Sequence, residues 1–181
     1  MKQVIRIIGG QYRGKKIHFP AITGLRPTPD RVRETLFNWL MSIIRGSRCL
    51  DAFAGSGALG FEAHSRGAAK VVMVEESSKA YSHLLNEAKA FEPSGITIIK
   101  GDAYRYLKET QEQFDIIFLD PPFAQNYLPL IQALEHKNVL VPTGYVYIES
   151  PQEIELNPLY WKKLKLKQSG QVFYGLYQKL N

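Results

Sequence analysis

Short apolar runs alternate along the chain with segments whose apolar residues recur every three or four positions. The apolar runs predict buried strands, and the periodic segments predict helices with one buried face. Five predicted strands cover residues 48–53, 70–75, 96–100, 114–120 and 144–149. Predicted helices follow the first four strands at residues 58–67, 78–91, 103–110 and 127–136, and another helix precedes them at residues 31–44.

This strict alternation predicts an α/β fold with a parallel sheet, helices on both faces and right-handed crossovers. Two further runs, 161–167 and 171–179, alternate polar and apolar residues around Ser169-Gly170. They predict an antiparallel hairpin at one edge of the sheet. Its lysines (Lys162, Lys163, Lys165 and Lys167) are compatible either with an RNA contact or with protection of an edge strand against aggregation.

The N-terminus has a different pattern. Residues 4–8 and 15–19 predict two short strands around Gly9-Gly10, placed before the alternating part begins. With 181 residues the chain is long enough for one domain and a small appendage. We therefore divide it into a β-hairpin extension at residues 1–24 and a Rossmann-like domain at residues 25–181.

The positive charge is concentrated in the same N-terminal part. The chain has a net charge of +6, but residues 1–33 contain eight Lys or Arg residues and one acid, a net +7, which leaves −1 for the rest. This asymmetry predicts a polyanionic partner, in particular a nucleic acid, although a solvated basic face is the alternative. The candidate RNA-binding residues are Arg6, Arg13, Lys15, Lys16, Arg26, Arg31 and Arg33.

Several classes of protein are disfavoured by composition. The single cysteine, Cys49, lies in an apolar strand and excludes an internal disulfide, which fits a reducing cytoplasm. No stretch reaches the roughly 18 apolar residues of a membrane span, and the N-terminus lacks the apolar core of a signal peptide. These observations predict a cytoplasmic protein. The four histidines show no metal-ligand spacing, so we expect no metal site.

A glycine-rich loop follows the first strand of the parallel sheet. Residues 55–60 match G-x-G-x-x-G, and Glu75 ends the next strand. Both features fit a dinucleotide, but they also fit S-adenosylmethionine, which contains the same adenosine. Three observations favour S-adenosylmethionine: Asp51 at the end of the first strand, the lack of room for a second substrate domain, and the Asp-Pro-Pro-Phe segment at the end of the fourth strand. Asp102, at the end of the third strand, is well placed to bind the adenine amino group.

The fourth strand ends in Asp120-Pro121-Pro122-Phe123. Proline has no N–H and a fixed φ, so the strand must stop at Asp120 and a stiff loop must follow at the ligand-binding edge of the sheet. Such a loop suits an exocyclic amino group on a base. Asp120 and the Pro121 carbonyl can accept hydrogen bonds from the two N–H groups of this amine, and Phe123 can stack on the ring of the base. A surface turn with one exposed aromatic is the alternative.

Together these segments resemble the RsmD family, which methylates the N2 amino group of one guanine in bacterial 16S ribosomal RNA. The resemblance covers nearly the full length. Its most distinctive block is Arg26-Pro27-Thr28 with residues 31–40, and it includes residues 50–60, 65–68, 74–75, 101–103 and 120–123.

The resemblance implies a class I S-adenosylmethionine-dependent methyltransferase: a Rossmann-like, seven-stranded, mostly parallel sheet with a small N-terminal extension. The implied catalytic residues are Asp120, Pro121, Pro122 and Phe123. The implied cofactor-binding residues are Asp51, Phe53, Gly55, Gly57, Glu75, Asp102 and Ala103. The expected partner is 16S rRNA, within the small subunit or an assembly intermediate, and we expect a monomer. Two alternatives stay open: an N6-adenine DNA methyltransferase and a non-enzymatic RNA-binding assembly factor.

Overall fold

The fold is taken from a computed structural model, which describes residues 2–22, 27–91, 95–122 and 125–180. Its N-terminal half contains β1 (Lys2–Arg6), β2 (Lys16–Pro20), α1 (Asp30–Trp39), β3 (Arg48–Asp51), α2 (Ala58–Ser65), β4 (Lys70–Glu75) and α3 (Ser78–Ala88). Its C-terminal half contains β5 (Ile96–Lys100), α4 (Ala103–Glu109), β6 (Phe114–Leu119), α5 (Leu128–His136), β7 (Leu140–Ser150), β8 (Trp161–Ser169) and β9 (Val172–Lys179).

Seven strands form one sheet in the order β5-β4-β3-β6-β7-β9-β8. The first five are mutually parallel, whereas β9 pairs antiparallel with β7 and β8 pairs antiparallel with β9. The chain builds outward from β3 to β5 and then returns to place β6 on the other side of β3. This reversal creates a switch point between β3 and β6, where open α/β sheets bind ligands. The predicted fold class is confirmed.

Several predicted element boundaries differ from the structure, and those of the first helix and of β7 differ by four residues or more. The first helix ends at Trp39, and the carbonyl of Leu40 then accepts from the amides of Ile43 and Ile44, both at 2.9 Å, in a turn. Leu40 and Ile44 are nevertheless buried. The apolar periodicity therefore predicted the buried positions correctly, but the helix is shorter than predicted. Strand β7 begins at Leu140, four residues before the predicted start at Gly144.

The sheet separates two apolar clusters. One cluster packs α1, α2 and α3 against one face and includes Ile5, Ile7, Ile17 and Phe19 of the N-terminal segment. The other packs α4 and α5 against the opposite face. The two-stranded sheet of β1 and β2 is separate from the large sheet, but its Ile5, Ile17 and Phe19 are buried in the first of these clusters.

The edge strand β8 carries its lysines on exposed positions. Among the described helices, none is long and apolar enough to cross a membrane.

Candidate active site

The carboxyl ends of the parallel strands carry the candidate residues. Because β3 lies between β4 and β6, the loop after β3 is flanked by the ends of both neighbours. This edge therefore brings together the glycine loop, Glu75 at the end of β4 and Asp120 directly after β6.

The glycine loop has a left-handed backbone at two positions. Gly55 has φ 53° and Gly57 has φ 80°, a region that residues with a Cβ rarely adopt. A Cβ on Gly57 would also lie 2.4 Å from the ring of Phe61. Gly57 is the N-cap of α2, so the loop turns sharply into a helix and presents its backbone at the strand ends.

Two acids hold this loop in place. Glu75 accepts hydrogen bonds from the amides of Gly55 at 2.8 Å and Ser77 at 2.7 Å. Asp51 is buried and accepts from the amide of Gly60 at 3.0 Å. Burial raises the pKa of Asp51 to about 7, against the lowering effect of the Gly60 bond. Glu75 thus holds the loop itself, and Asp51 holds the first turn of α2 that follows it. Direct contact of either carboxylate with a cofactor stays a prediction.

The other predicted cofactor-binding residues surround the same edge. Asp102 is exposed and caps α4, since its Oδ1 accepts from the amide of Arg105 at 2.7 Å. Ala103 is buried at the first turn of α4, and Phe53 is half-buried beside the glycine loop. Asp102 thus has the helix-capping role that competes with cofactor binding, but a carboxylate has a second oxygen and can serve both.

The Asp120 loop follows β6 as its prolines predict. Strand β6 ends at Leu119, Pro121 is buried, and the Pro122 carbonyl accepts from the amide of Gln125 at 2.8 Å. Phe123 lies outside the described residues. The Asp120 carboxylate accepts from the hydroxyl of Thr28 at 3.3 Å. Burial, and then the negative charges of Glu149 and Asp51, raise the pKa of Asp120 well above its ordinary value.

Glu149 is a site residue that the sequence analysis missed. It lies on β7 beside Asp120, because Leu119 of β6 is paired with Ile148. The side chain is buried and its Oε1 accepts from the hydroxyl of Tyr147 at 2.8 Å. Burial raises the pKa of Glu149, although the hydroxyls of Tyr147 and Thr28 favour its charged form. A signal was present in the sequence, since Glu149, like Asp51 and Glu75, is an acid near the end of an apolar strand.

Most of the predicted RNA-binding residues are exposed. Arg6, Arg13 and Lys16 lie on the N-terminal hairpin, and Arg31 lies on the first turn of α1. Lys15 is only half-buried and packs on the protein: its Nζ lies 4.9 Å from the ring of Phe91 and donates to the Ala90 carbonyl. Arg26 lies outside the described residues.

The prediction for Arg33 is wrong. Its side chain is completely buried, with Nη2 2.5 Å from Asp30 Oδ1 and Nη1 3.4 Å from Glu62 Oε2. It also donates to the carbonyl of Arg6 at 3.0 Å. Because this guanidinium is completely buried and paired with acids inside the fold, it cannot reach a phosphate. Sequence charge counting missed this because it does not show which cations are neutralised inside the fold.

Glu62 explains how the N-terminal segment is attached. This buried carboxylate accepts from the amides of Ile8 and Gly9, both at 2.9 Å, and from Nε of Arg66 at 2.7 Å, in addition to its pair with Arg33. One α2 side chain therefore fixes the backbone beyond β1. The exposed cations of the hairpin are held in a defined position relative to the sheet.

Within the part of the chain that the structure describes, no three His, Cys, Asp or Glu side chains are grouped so that they could hold a metal ion.

The sheet order, the glycine loop and the acids at the strand ends define the fold of the class I S-adenosylmethionine-dependent methyltransferases. The structure of Trm1 from Pyrococcus horikoshii, solved with S-adenosyl-L-methionine, has this fold: it matches with a TM-score of 0.71 at 15% identity, covering 92% of this chain and 59% of Trm1. Residues 5–178 match the model of the family described as Conserved hypothetical protein 95. The chain belongs to this family, and the resemblance to the RsmD family is confirmed.

Curated relatives span almost the same length. The chain is 42% identical to ribosomal RNA small subunit methyltransferase D of Escherichia coli K12, over 97% of this chain and 90% of that protein. It is 44% identical to the protein of the same name from Haemophilus influenzae, over 98% and 95%. The solved structure of yhhF from Escherichia coli is 41% identical and matches with a TM-score of 0.89, covering 98% of this chain and 99% of that one.

Proposed function

We propose that this chain transfers a methyl group from S-adenosyl-L-methionine to the exocyclic N2 amino group of a guanine in 16S ribosomal RNA, with S-adenosyl-L-homocysteine as the second product. The observation that carries the proposal is the position of Asp120, on a proline-stiffened loop beside the glycine loop. The names of the two curated relatives support small-subunit ribosomal RNA as the substrate class.

The residues at the strand ends fit the methyl donor chemically. The loop backbone at Gly55 and Gly57 permits close approach of a ligand, and Glu75 and Asp102 offer carboxylate oxygens to ribose hydroxyls and to the adenine amino group. Asp51 would act indirectly, because it fixes the first turn of α2 through the amide of Gly60. S-adenosylmethionine, when bound, supplies an activated methyl group on a sulfonium.

The protein has to orient a poor nucleophile. The lone pair of an aromatic amine is delocalised into its ring. In this proposal, the Asp120 carboxylate and the Pro121 carbonyl accept hydrogen bonds from the two N–H groups of the amine. The nitrogen lone pair is then directed away from these two acceptors. Phe123 stacks on the base. Such positioning of two reactants can lower a barrier by about 7–11 kcal/mol. The guanine must be unpaired or flipped to enter.

The hairpin supplies the RNA contact in this proposal. Arg6, Arg13, Lys16 and Arg31 are exposed cations of one sequence region, and the hairpin that carries three of them is fixed by Glu62. Lysine and arginine contacts to phosphate release counterions, so affinity should fall steeply with salt. We assign residues 1–24 as the extension that carries this contact, with Arg26 immediately after it.

The test is transfer of labelled methyl to small ribosomal subunits from cells that lack this enzyme, beside naked 16S RNA and duplex DNA, with nucleoside analysis. N2-methylguanosine from subunits or RNA supports the proposal. N6-methyladenine in DNA would replace it with the DNA methyltransferase alternative. No transfer to any substrate, with S-adenosylmethionine still bound, would leave the assembly-factor alternative.

The matched variants are Asp120→Ala and Asp115→Ala, which lie at opposite ends of β6. Asp120→Ala should reduce turnover at least about 100-fold and change donor affinity little, because it removes an acceptor for the base amine. Asp115 accepts from the Arg48 amide at the amino-terminal ends of β3 and β6, away from the candidate site, so Asp115→Ala should retain turnover. Wild-type turnover by Asp120→Ala would exclude the proposed role.

A further inference from the structure

The site contains a second acid whose arrangement the proposed reaction does not explain. Glu149 is 5% exposed and lies on β7 next to Asp120. No cation in the described part of the chain forms an ion pair with either carboxylate. Two neighbouring carboxylates, one buried and one half-buried, repel each other when no cation lies between them, which costs folding free energy. An arrangement of this kind is common where a fold adjusts the acidity of a functional group.

The hydrogen bonds distinguish the two acids. Glu149 Oε1 accepts from the hydroxyl of Tyr147 at 2.8 Å, and Tyr147 is itself completely buried. The hydroxyl of Tyr127 fixes the backbone at the same position, because it donates to the Glu149 carbonyl at 2.8 Å. A short bond from a buried donor stabilises the ionised carboxylate. The bond from Tyr147 therefore favours the charged form of Glu149 and offsets part of the effect of burial, which raises its pKa.

Asp120 has a weaker partner. The Thr28 hydroxyl donates to its Oδ2 at 3.3 Å, and the same hydroxyl also stabilises Glu149. A hydroxyl has one proton and can donate to only one carboxylate at a time. Asp120 is also more accessible than Glu149, since it is half-buried at the loop entrance. Of the two acids, Asp120 is the one placed to gain and lose a proton.

We propose that Glu149, held by Tyr147, is a positioning residue that provides a fixed negative charge beside Asp120 and makes Asp120 the acceptor of the proton released by the amino nitrogen. This inference rests on the proposed methyl transfer to an amine. As the N–CH3 bond forms and the S–CH3 bond breaks, the positive charge moves from sulfur to the nitrogen. One N–H proton then passes to the Asp120 carboxylate and from there to solvent, which restores a neutral amine.

Two carboxylates, Asp51 and Glu149, act on Asp120 through their negative charge, and both raise its pKa. Asp51 faces it from β3, and Glu149 and Tyr147 face it from β7, while Tyr127 precedes α5. None of these groups carries a positive charge. Burial and the charge of Glu149 both raise the pKa of Asp120, so removal of the Glu149 charge should lower it.

The decisive measurement uses the ligand-free protein. With 13C-labelled Asp and Glu side chains, the carboxyl titrations are followed by NMR, and Asp120 is assigned from its absence in Asp120→Asn. In Glu149→Gln we expect the Asp120 pKa to fall by about one pH unit or more. The control is Glu153→Gln, which removes one negative charge from an exposed ion pair with Lys163 and should leave the Asp120 titration in place.

A second variant keeps the test valid if Glu149→Gln does not fold. Tyr147→Phe removes the donor to Glu149 and should raise the Glu149 pKa in the same spectra. An unchanged Asp120 titration in folded Glu149→Gln, or an unchanged Glu149 titration in Tyr147→Phe, would overturn the inference.

The pH dependence of turnover supplies the functional result. The acid limb of kcat should move to lower pH in Glu149→Gln, because Asp120 stays ionised further into the acid range. A residue with only a structural role would lower kcat at every pH without moving the limb, and that result would also overturn the inference. Shifted titrations in a protein that methylates no substrate would refute the proposed function but leave the carboxyl pair as described.

Discussion

The substitution Glu62→Ala should destabilise the protein strongly. Its carboxylate is fully buried and accepts two backbone N–H groups of the N-terminal segment and two arginine groups. Removing it leaves the buried Arg33 with one ion-pair partner, Asp30, whose side chain is 71% exposed. Breaking a buried ion pair by deleting one partner costs about 3–5 kcal/mol. This is a large fraction of the roughly 5–15 kcal/mol that stabilises a typical domain.

The assay is urea unfolding with Glu109→Ala as the matched control. Glu109 pairs with Arg105 at the same helical spacing as Glu62 with Arg66, but the side chains of Glu109 and Arg105 are exposed. Removing this pair should therefore lower the free energy of unfolding by less than about 0.5 kcal/mol. Amide exchange at Ile8 and Gly9 should also accelerate in Glu62→Ala. Equal unfolding midpoints for the two variants would refute the reasoning that Glu62 anchors the hairpin.

Three further predictions concern the surface and the interior. Arg6→Ala and Lys16→Ala should each weaken RNA binding and reduce the log–log salt slope by about 1, measured by filter binding, whereas Lys137→Ala, directly after α5, should not. Burial raises the pKa of Asp51 from its ordinary 3.8 to about 7 in the folded state, so the folded protein binds an extra proton and its stability falls as the pH rises between these values. Asp51→Asn should flatten this pH dependence of the urea midpoint, and an unchanged pH dependence would contradict the prediction. Burial raises the pKa of Cys49 to about 12, so a thiol reagent should label it only after unfolding, and rapid labelling of the native protein would show the burial to be wrong.

Local sequence patterns predicted the elements and most of the candidate residues at the carboxyl ends of the strands. Strand β4 runs from Lys70 to Glu75, as its apolar run predicts, and β6 ends before Asp120 because Pro121 cannot continue a ladder. Helix α2 begins at Ala58, directly after Gly57 and within the G-x-G-x-x-G motif. These features are set by side-chain periodicity and backbone restrictions, which act over a few residues and can therefore be recognised in the sequence.

Which charged side chains become neighbours depends on the three-dimensional fold. Arg33 was counted among the exposed cations, but the fold places it against Glu62, 29 positions further along the chain. Glu149 is likewise 29 positions after Asp120, and the pairing of β6 with β7 makes them neighbours. The energy of a charge depends on its burial and on partners brought close by long-range packing. Local sequence patterns therefore identified the acids and bases, and the three-dimensional fold determined their roles.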